Sequence, residues 1–330
     1  MTLLFITQKL HGQDVFTVLW IRAFMRRGYT VKVICLEATD AMYDFEVLSL
    51  GKEKGASKFS QILTFWKLIS HLQYDRVFIH MTPVWGAIGA PVWIMKKIPV
   101  YLWYTHYKMQ FGLKMLGLYG KRFFCATPQS LPQFEGSPKK VVVGHGIDVD
   151  VWKKCDNVAA DSRTLLVVHR LSRSKRLELI LRAMTLLPDY SLDIYGIDAE
   201  ADYAKEMKDL SSELKLNNRV IFHGTKPMNE LADLYAQHRL ILNMASQTID
   251  KTMLEAMTCG CYPVTTKGNA QAIGLSHAPE TDTPEAIAVF VQKYADKAPI
   301  SGDDMYEVVA KNHSLDGLIA KMDGYMKEGK

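Results

Sequence analysis

Cysteine is scarce and poorly placed for cross-linking: five in 330 residues, an odd number with no C-x-x-C pair. That usage argues against a disulfide framework and for reduced thiols in a cytoplasmic setting. Cys259 and Cys261 make too small a set for a structural metal site. Long apolar runs are missing as well. The longest, Pro83 to Trp103, is broken by Pro91, Lys96, Lys97 and Pro99, so a bilayer-spanning helix is not expected. Met1 leads straight into LLFIT without the basic flank and cleavage site of a secretory leader. The loop QKLHGQDVF holds one glycine, Gly12, where a dinucleotide-binding loop carries three, which removes the dehydrogenase fingerprint. No paired-carboxylate constellation is visible, which weighs against a glycosidase. No aromatic-basic recognition motif marks a nucleic-acid binder.

What is present is ordinary globular material, 48% hydrophobic and 23% charged, in a chain long enough for two domains with cores of their own. Charge is unevenly spread. Residues 1–150 carry 18 basic and 10 acidic side chains, whereas the remainder carries 22 and 25. A basic first half suits an anionic partner: a phosphorylated or lipid-linked acceptor, an anionic membrane surface, or nucleic acid. A solvated surface with no partner is the alternative.

Pattern alternates along the chain. Leu3 to Thr7 reads as a buried strand, Val15 to Arg27 as a helix stopped by Gly28, and Val31 to Leu36 as a second strand. Leu63 to Leu72 is helix-like, and Val77–His80, Tyr101–Tyr104 and Lys140–Val143 are strand-like. Phe111 to Phe124 mixes large apolar residues with Lys114, Lys121 and Arg122. That mixture suits either a membrane surface or a core, and its glycines argue against an unbroken amphipathic helix. Polar residues 153–163 read as a linker. Beyond it, a strand and loop from Thr164 to Lys175 and strands over Ser191–Tyr195, Val220–Phe222, Leu240–Met244 and Pro263–Thr266 alternate with helical stripes, which predicts a parallel sheet. KGNAQAIG, after the last of these, reads as a further loop at the same edge.

The most informative stretch is SQTIDKTMLEAMTCG, Ser246 to Gly260. It places a polar loop after a strand and before a short helix, the position where open α/β sheets bind ligands. The first turn of a helix offers unpaired N–H groups and the positive end of its dipole, a ready seat for phosphate. Lys251 and Thr252 fall at that end, and Asp250 reads as the helix cap first and a ligand contact second. Glu255, farther in, is positioned to accept hydrogen bonds from a diol.

TLLVVHRLSRSK, Thr164 to Lys175, resembles the strand and loop that open the donor domain of retaining GT-B glycosyltransferases of the glycosyltransferase family 4 type. The run Glu255-Ala256-Met257 with Cys259-Gly260 resembles the second half of that family's Glu-x7-Glu motif, although Gln247 stands where the first Glu belongs. The resemblance implies two Rossmann-like α/β domains facing across a cleft: an acceptor domain at 1–150, a donor domain at 151–312, and a terminal helix at 313–330 returning to the first domain. It assigns Arg170 and Lys175 to the diphosphate of a nucleotide sugar and His106 to the face of the donor sugar. Gly12, Gln247, Thr248, Asp250, Lys251, Thr252, Glu255 and Gly224 fall to donor binding. No metal or other cofactor is implied, because Arg and Lys neutralise the leaving group, and Asp148-x-Asp150 is assigned to the interdomain connector. The implied acceptor is a glycan, a lipid-linked molecule or a small molecule. Nucleic acid is not an implied partner, and the implied location is cytoplasmic, with peripheral contact at the inner membrane face. A nucleotide-sugar epimerase and a non-catalytic nucleotide-sugar-binding protein are the alternatives.

Overall fold

The computed structural model describes residues 1–12, 16–39, 42–106, 108–152, 161–246 and 249–328. Its contacts divide the chain into two compact units, Met1–Gly146 with Leu315–Lys330, and Ile147–Ser314.

The first unit is built on seven strands: β1 (Thr2–Leu10), β2 (Thr30–Ala38), β3 (Glu46–Ser49), β4 (Arg76–His80), β5 (Val100–Trp103), β6 (Arg122–Cys125) and β7 (Lys140–Val142). They lie in the order β3-β2-β1-β4-β5-β6-β7, and every pairing is parallel. Central strands such as β4 are buried throughout, as a sheet covered on both faces requires. Alternate residues feed two cores. Phe5, Val33, Phe78 and Trp103 pack with Trp20 and Phe24 of α1 (Phe16–Arg26) and with Leu318 and Met322 of the closing helix, Leu315–Lys327. Ile6, Ile34, Ile79 and Leu102 pack with α2 (Lys58–His71), α3 (Pro83–Met95) and α4 (Phe111–Tyr119) on the opposite face. The closing helix is fastened by Tyr29 Oη to Asp323 at 2.7 Å and by Arg26 to Asp316 at 2.9 Å.

Three readings from pattern need correction. β1 continues to Leu10, so Gln8, Lys9 and Leu10 are strand rather than loop; Lys9 and Leu10 stay in register with Glu37 and Ala38 of β2. Phe111 to Tyr119 is an unbroken helix despite its glycines. A Cβ on Gly112 would stand 2.3 Å from the Pro83 carbonyl oxygen, so glycine is what lets α4 approach α3. KGNAQAIG is helical because Thr266 Oγ1 accepts from Asn269 N at 3.2 Å and caps it.

The second unit holds β8 (Thr164–Val168), β9 (Ser191–Tyr195), β10 (Val220–Gly224), β11 (Leu240–Asn243) and β12 (Tyr262–Thr265) in the order β10-β9-β8-β11-β12, again all parallel. Its helices are α5 (Leu177–Met184), α6 (Ala201–Glu213), α7 (Met228–Gln237), α8 (Lys251–Thr258), α9 (Lys267–Ile273), α10 (Pro284–Tyr294) and α11 (Gly302–His313). One apolar core runs through them. Of the expected linker, residues 153–160 lie outside the described residues. What matters for the site is that β8 and β11 are neighbours in mid-sheet, so the loops at their carboxyl ends emerge side by side.

Candidate functional site

Beyond β8 the chain passes through His169 and Arg170 into a short turn, Arg173–Lys175. Lys175 is only 5% exposed. Its ammonium lies 2.5 and 2.6 Å from the two carboxylate oxygens of Asp250, the residue that begins α8. Fully buried Asn243, the last residue of β11, donates from Nδ2 to Asp250 Oδ2 at 2.7 Å and accepts from Ala245 N at 3.1 Å. Asp250 has the extended backbone of an N-cap, yet its side chain makes no cap hydrogen bond. The cap reading is therefore corrected. A hydrogen bond to a charged group contributes about 1.5–3 kcal/mol against about 1 kcal/mol for a cap, and the carboxylate turns to Lys175.

Arg170 is exposed and makes no ion pair among the described residues. Behind it, His169 is buried, with Nδ1 3.1 Å from the Arg170 carbonyl oxygen. Burial pushes its pKa down to about 4 against the pull of Asp250. It is therefore neutral, and the carbonyl partner assigns the proton to Nδ1. His169 Nε2 and Thr252 Oγ1 are both buried without a hydrogen-bond partner among the described residues. Polar atoms left in that state near a loop call for an explanation such as a ligand or water.

Glu255 sits one turn beyond Lys251 on α8. Tyr235 Oη donates to Glu255 Oε2 at 3.4 Å. Burial raises the Glu255 carboxyl to about 7, with the Lys251 charge opposing, and burial drives the Lys251 ammonium well down, with Glu255 opposing. Lys251 thus interacts with Glu255 on its own helix.

The remaining predicted residues are distributed. Gly224 ends β10 in the left-handed region, φ +78°, and its carbonyl accepts from Gly196 N at 2.7 Å. Close by, Leu171, Ile194, Gly196, Phe222 and Gly224 line a cavity of about 490 Å³. His223 is engaged by Asp193 at 2.7 Å and stacks on Tyr195 at 4.5 Å. Gln247 and Thr248 lie outside the described residues. Gly12 and His106 belong to the first unit. Gly12 has φ +91° and donates to Thr39 Oγ1 at 3.1 Å, while exposed His106 meets Tyr104 edge-on at 5.3 Å. Asp148 Oδ1 accepts from Asp150 N at 3.3 Å, a local turn. Among the described residues no three His, Cys, Asp or Glu side chains gather as a metal set. A larger cavity of about 640 Å³, between α9 and α10, contains none of the predicted residues.

Pattern reading missed Asn243, His169 and Arg176. Arg176, left-handed at φ 52°, donates from Nε to Met244 O at 2.6 Å and from Nη2 to Asp282 at 2.8 Å, tying the β8 and β11 loops together. An Asn closing an apolar strand was the one signal available; nothing in the sequence separates Arg176 from its cationic neighbours.

The family model for glycosyl transferases group 1 matches residues 148–273, and that for glycosyl transferase 4-like domains matches residues 4–114. The chain is a GT-B glycosyltransferase. No curated protein matches the enzyme in sequence. Among solved structures it is similar to HepE of Anabaena in complex with UDP-glucose, 16% identical over 99% of this chain and 100% of that one, with a TM-score of 0.77. It is also similar to sucrose-phosphate synthase of Thermosynechococcus elongatus, 15% identical over 99% and 98%, TM-score 0.77. The apo lipopolysaccharide outer core galactosyltransferase WaaB is 15% identical over 100% of both chains, TM-score 0.72. At such identities the likeness speaks for the fold, with its two Rossmann-like units. No helix of the described residues is long and apolar enough to cross a membrane.

Proposed function

We propose that the enzyme moves a sugar from a nucleoside diphosphate to an acceptor with retention of configuration, gripping the diphosphate with Arg170, Lys175 and the amino end of α8. The observation that carries this reading is the meeting of Lys175 and Asp250 at the start of α8, with Arg170 left exposed on the same loop as Lys175. When the glycosidic bond breaks, negative charge grows on the β-phosphate. Preorganised cationic and N–H donors aimed at that charge contribute about 3 kcal/mol each, and the leaving phosphate itself helps take the acceptor's proton. The unpartnered atoms of His169 and Thr252 support a polar ligand in this loop cluster.

Glu255 holds the ribose diol, and the cavity beside Gly224 takes the base, chiefly through backbone groups. Gln247, Thr248, Lys251 and Thr252 complete the donor loop. With cations to neutralise the leaving group, no metal is required. The acceptor is a glycan or a lipid-linked molecule, and the basic first half gives the cytoplasmic enzyme peripheral contact with a membrane.

Thermal-shift screening against UDP, GDP, ADP and their sugars tests the reading, because a ligand that binds only the native state raises the melting point. HepE was solved with UDP-glucose bound, which makes UDP the first ligand to try. Stabilisation by one nucleotide series, lost in Arg170→Ala, is the expected result. No stabilisation by any of them would overturn the diphosphate site.

A further inference from the structure

We propose that the outer face of α2, α3 and α4 is a docking surface for an anionic lipid bilayer. The three helices form one layer on the sheet. Phe65, Ile69, Trp85, Trp93, Leu113 and Leu116 point into a shared core, and Trp66 Nε1 of α2 donates to the Ile88 carbonyl of α3 at 2.8 Å. Their other sides face solvent and are far more apolar than solvent requires. On α2, Phe59, Leu63 and Trp66 recur at helical spacing and are 72%, 48% and 43% exposed. On α4, Phe111 and Leu118 are 72% and 78% exposed, and Ile94 and Met95 end α3 at 55% and 75%. Residues 58–122 are one fifth of the chain yet hold nine of the eighteen exposed large apolar side chains among the described residues. Clustered exposure of this kind marks an interaction surface rather than scattered surface residues.

Charge selects the partner. The same stretch has nine basic side chains and a single acidic one, Asp75. Lys67, Lys96, Lys97, Lys114 and Lys121 are exposed, and none of them pairs with an acid among the described residues. Aromatic and aliphatic side chains interleaved with lysines that no acid neutralises among the described residues match a headgroup region, where apolar burial and attraction to anionic lipid add. A nucleic-acid backbone would use the lysines and leave the apolar residues in water. The inference deepens the reading of membrane contact given above, but it stands on this surface and does not depend on the diphosphate site.

The test is co-sedimentation of the full chain with phosphatidylcholine vesicles, with and without phosphatidylglycerol. Binding is expected only with the anionic lipid and is expected to fall as salt rises. Lys96→Gln and Lys97→Gln should each weaken it about fivefold. Phe111→Ser with Leu118→Ser should abolish it while the melting point and nucleotide-induced stabilisation stay unchanged, since both side chains are exposed. Equal binding to both vesicle types, no binding to either, or indifference to these substitutions would overturn the proposal. So would a concentration-dependent doubling of mass that Phe111→Ser with Leu118→Ser removes, because the face would then be a contact between two copies of the chain. Because the assay needs no nucleotide, it separates failure of this surface from failure of the transferase reading.

Discussion

Asp250→Asn is the most telling change, because two opposed effects of the carboxylate predict different signs in different assays. In the free enzyme Asp250 is the counter-ion of an ammonium that is 5% exposed, at 2.5 and 2.6 Å. Removing one member of a buried pair costs about 3–5 kcal/mol. Asn keeps one acceptor oxygen for Lys175, so the expected loss of stability is nearer 2–3 kcal/mol. Toward a bound diphosphate the same carboxylate is a repulsive charge. At an effective dielectric of about 20, a unit charge about 6 Å away contributes about 3 kcal/mol, less where solvent reaches it. Nucleoside diphosphate should therefore bind Asp250→Asn about ten- to a hundredfold more tightly. Saturating nucleotide should recover most of the lost stability, because the phosphate replaces the missing counter-ion. Turnover is expected to drop about tenfold, since Lys175 has lost the group that fixes its direction. Calorimetric titration and denaturant unfolding with and without nucleotide provide the measurements. Weaker nucleotide binding, or a stability deficit that nucleotide leaves untouched, would refute the idea that Asp250 and the diphosphate compete for Lys175.

Arg170→Ala should lower transfer about a hundredfold or more with an unchanged melting point, because the side chain is exposed and pairs with no acid among the described residues; turnover within a few-fold of the parent excludes it from the grip. Glu255, raised by burial from 4.5 to about 7, retains in the folded state a proton that the unfolded chain has released between those values. Stability should accordingly fall as pH rises through that window and level off above it. Ionised carboxylate accepts from a ribose diol, so nucleotide affinity should rise through about pH 7, and both trends should vanish in Glu255→Gln. Gly196→Ala places a Cβ 1.9 Å from the His169 carbonyl oxygen, a backbone clash that no rotamer relieves. A cost of about 3 kcal/mol or more is expected, with weaker nucleotide binding as the Arg170 loop is displaced; wild-type melting behaviour would show that the loop has room to move.

Much of the architecture was written in periodicity. Strands buried on both faces leave unbroken apolar runs such as Leu165–Val168 and Leu240–Leu242, and glycine or proline marks where elements stop. What periodicity hid depends on contacts between distant residues. α4 reads as glycine-broken until Pro83 is seen against Gly112. The extension of β1 to Leu10 rests on pairing with β2 rather than on any apolar pattern in Gln8 and Lys9. At the site, Arg170, Lys175 and Asp250 were legible as residue types, but the bond between Lys175 and Asp250 spans 75 positions. No local rule distinguishes an aspartate that caps its own helix from one that turns away to a lysine.

That bond also bears on the departure from the Glu-x7-Glu motif. The chain has Gln247 where the motif's first carboxylate belongs, and it has Asp250 three residues later, at the start of α8. Asp250 thus puts an acid at the position where the proposed phosphate would meet the helix. An acid there would oppose an anionic ligand if it stood alone. With Lys175 and Asn243 holding both of its oxygens, its charge is balanced, and Arg170 is the cation of its loop that makes no ion pair among the described residues. The proposed grip on a diphosphate would then divide unequally. In the proposed site Arg170 would supply attraction from the outset, whereas Lys175 would contribute only to the extent that the arriving phosphate draws it from Asp250. Charge that must be won from a competitor is worth less to a bound ground state and more to a transition state whose leaving oxygen is gaining charge, which is the direction in which catalysis is favoured.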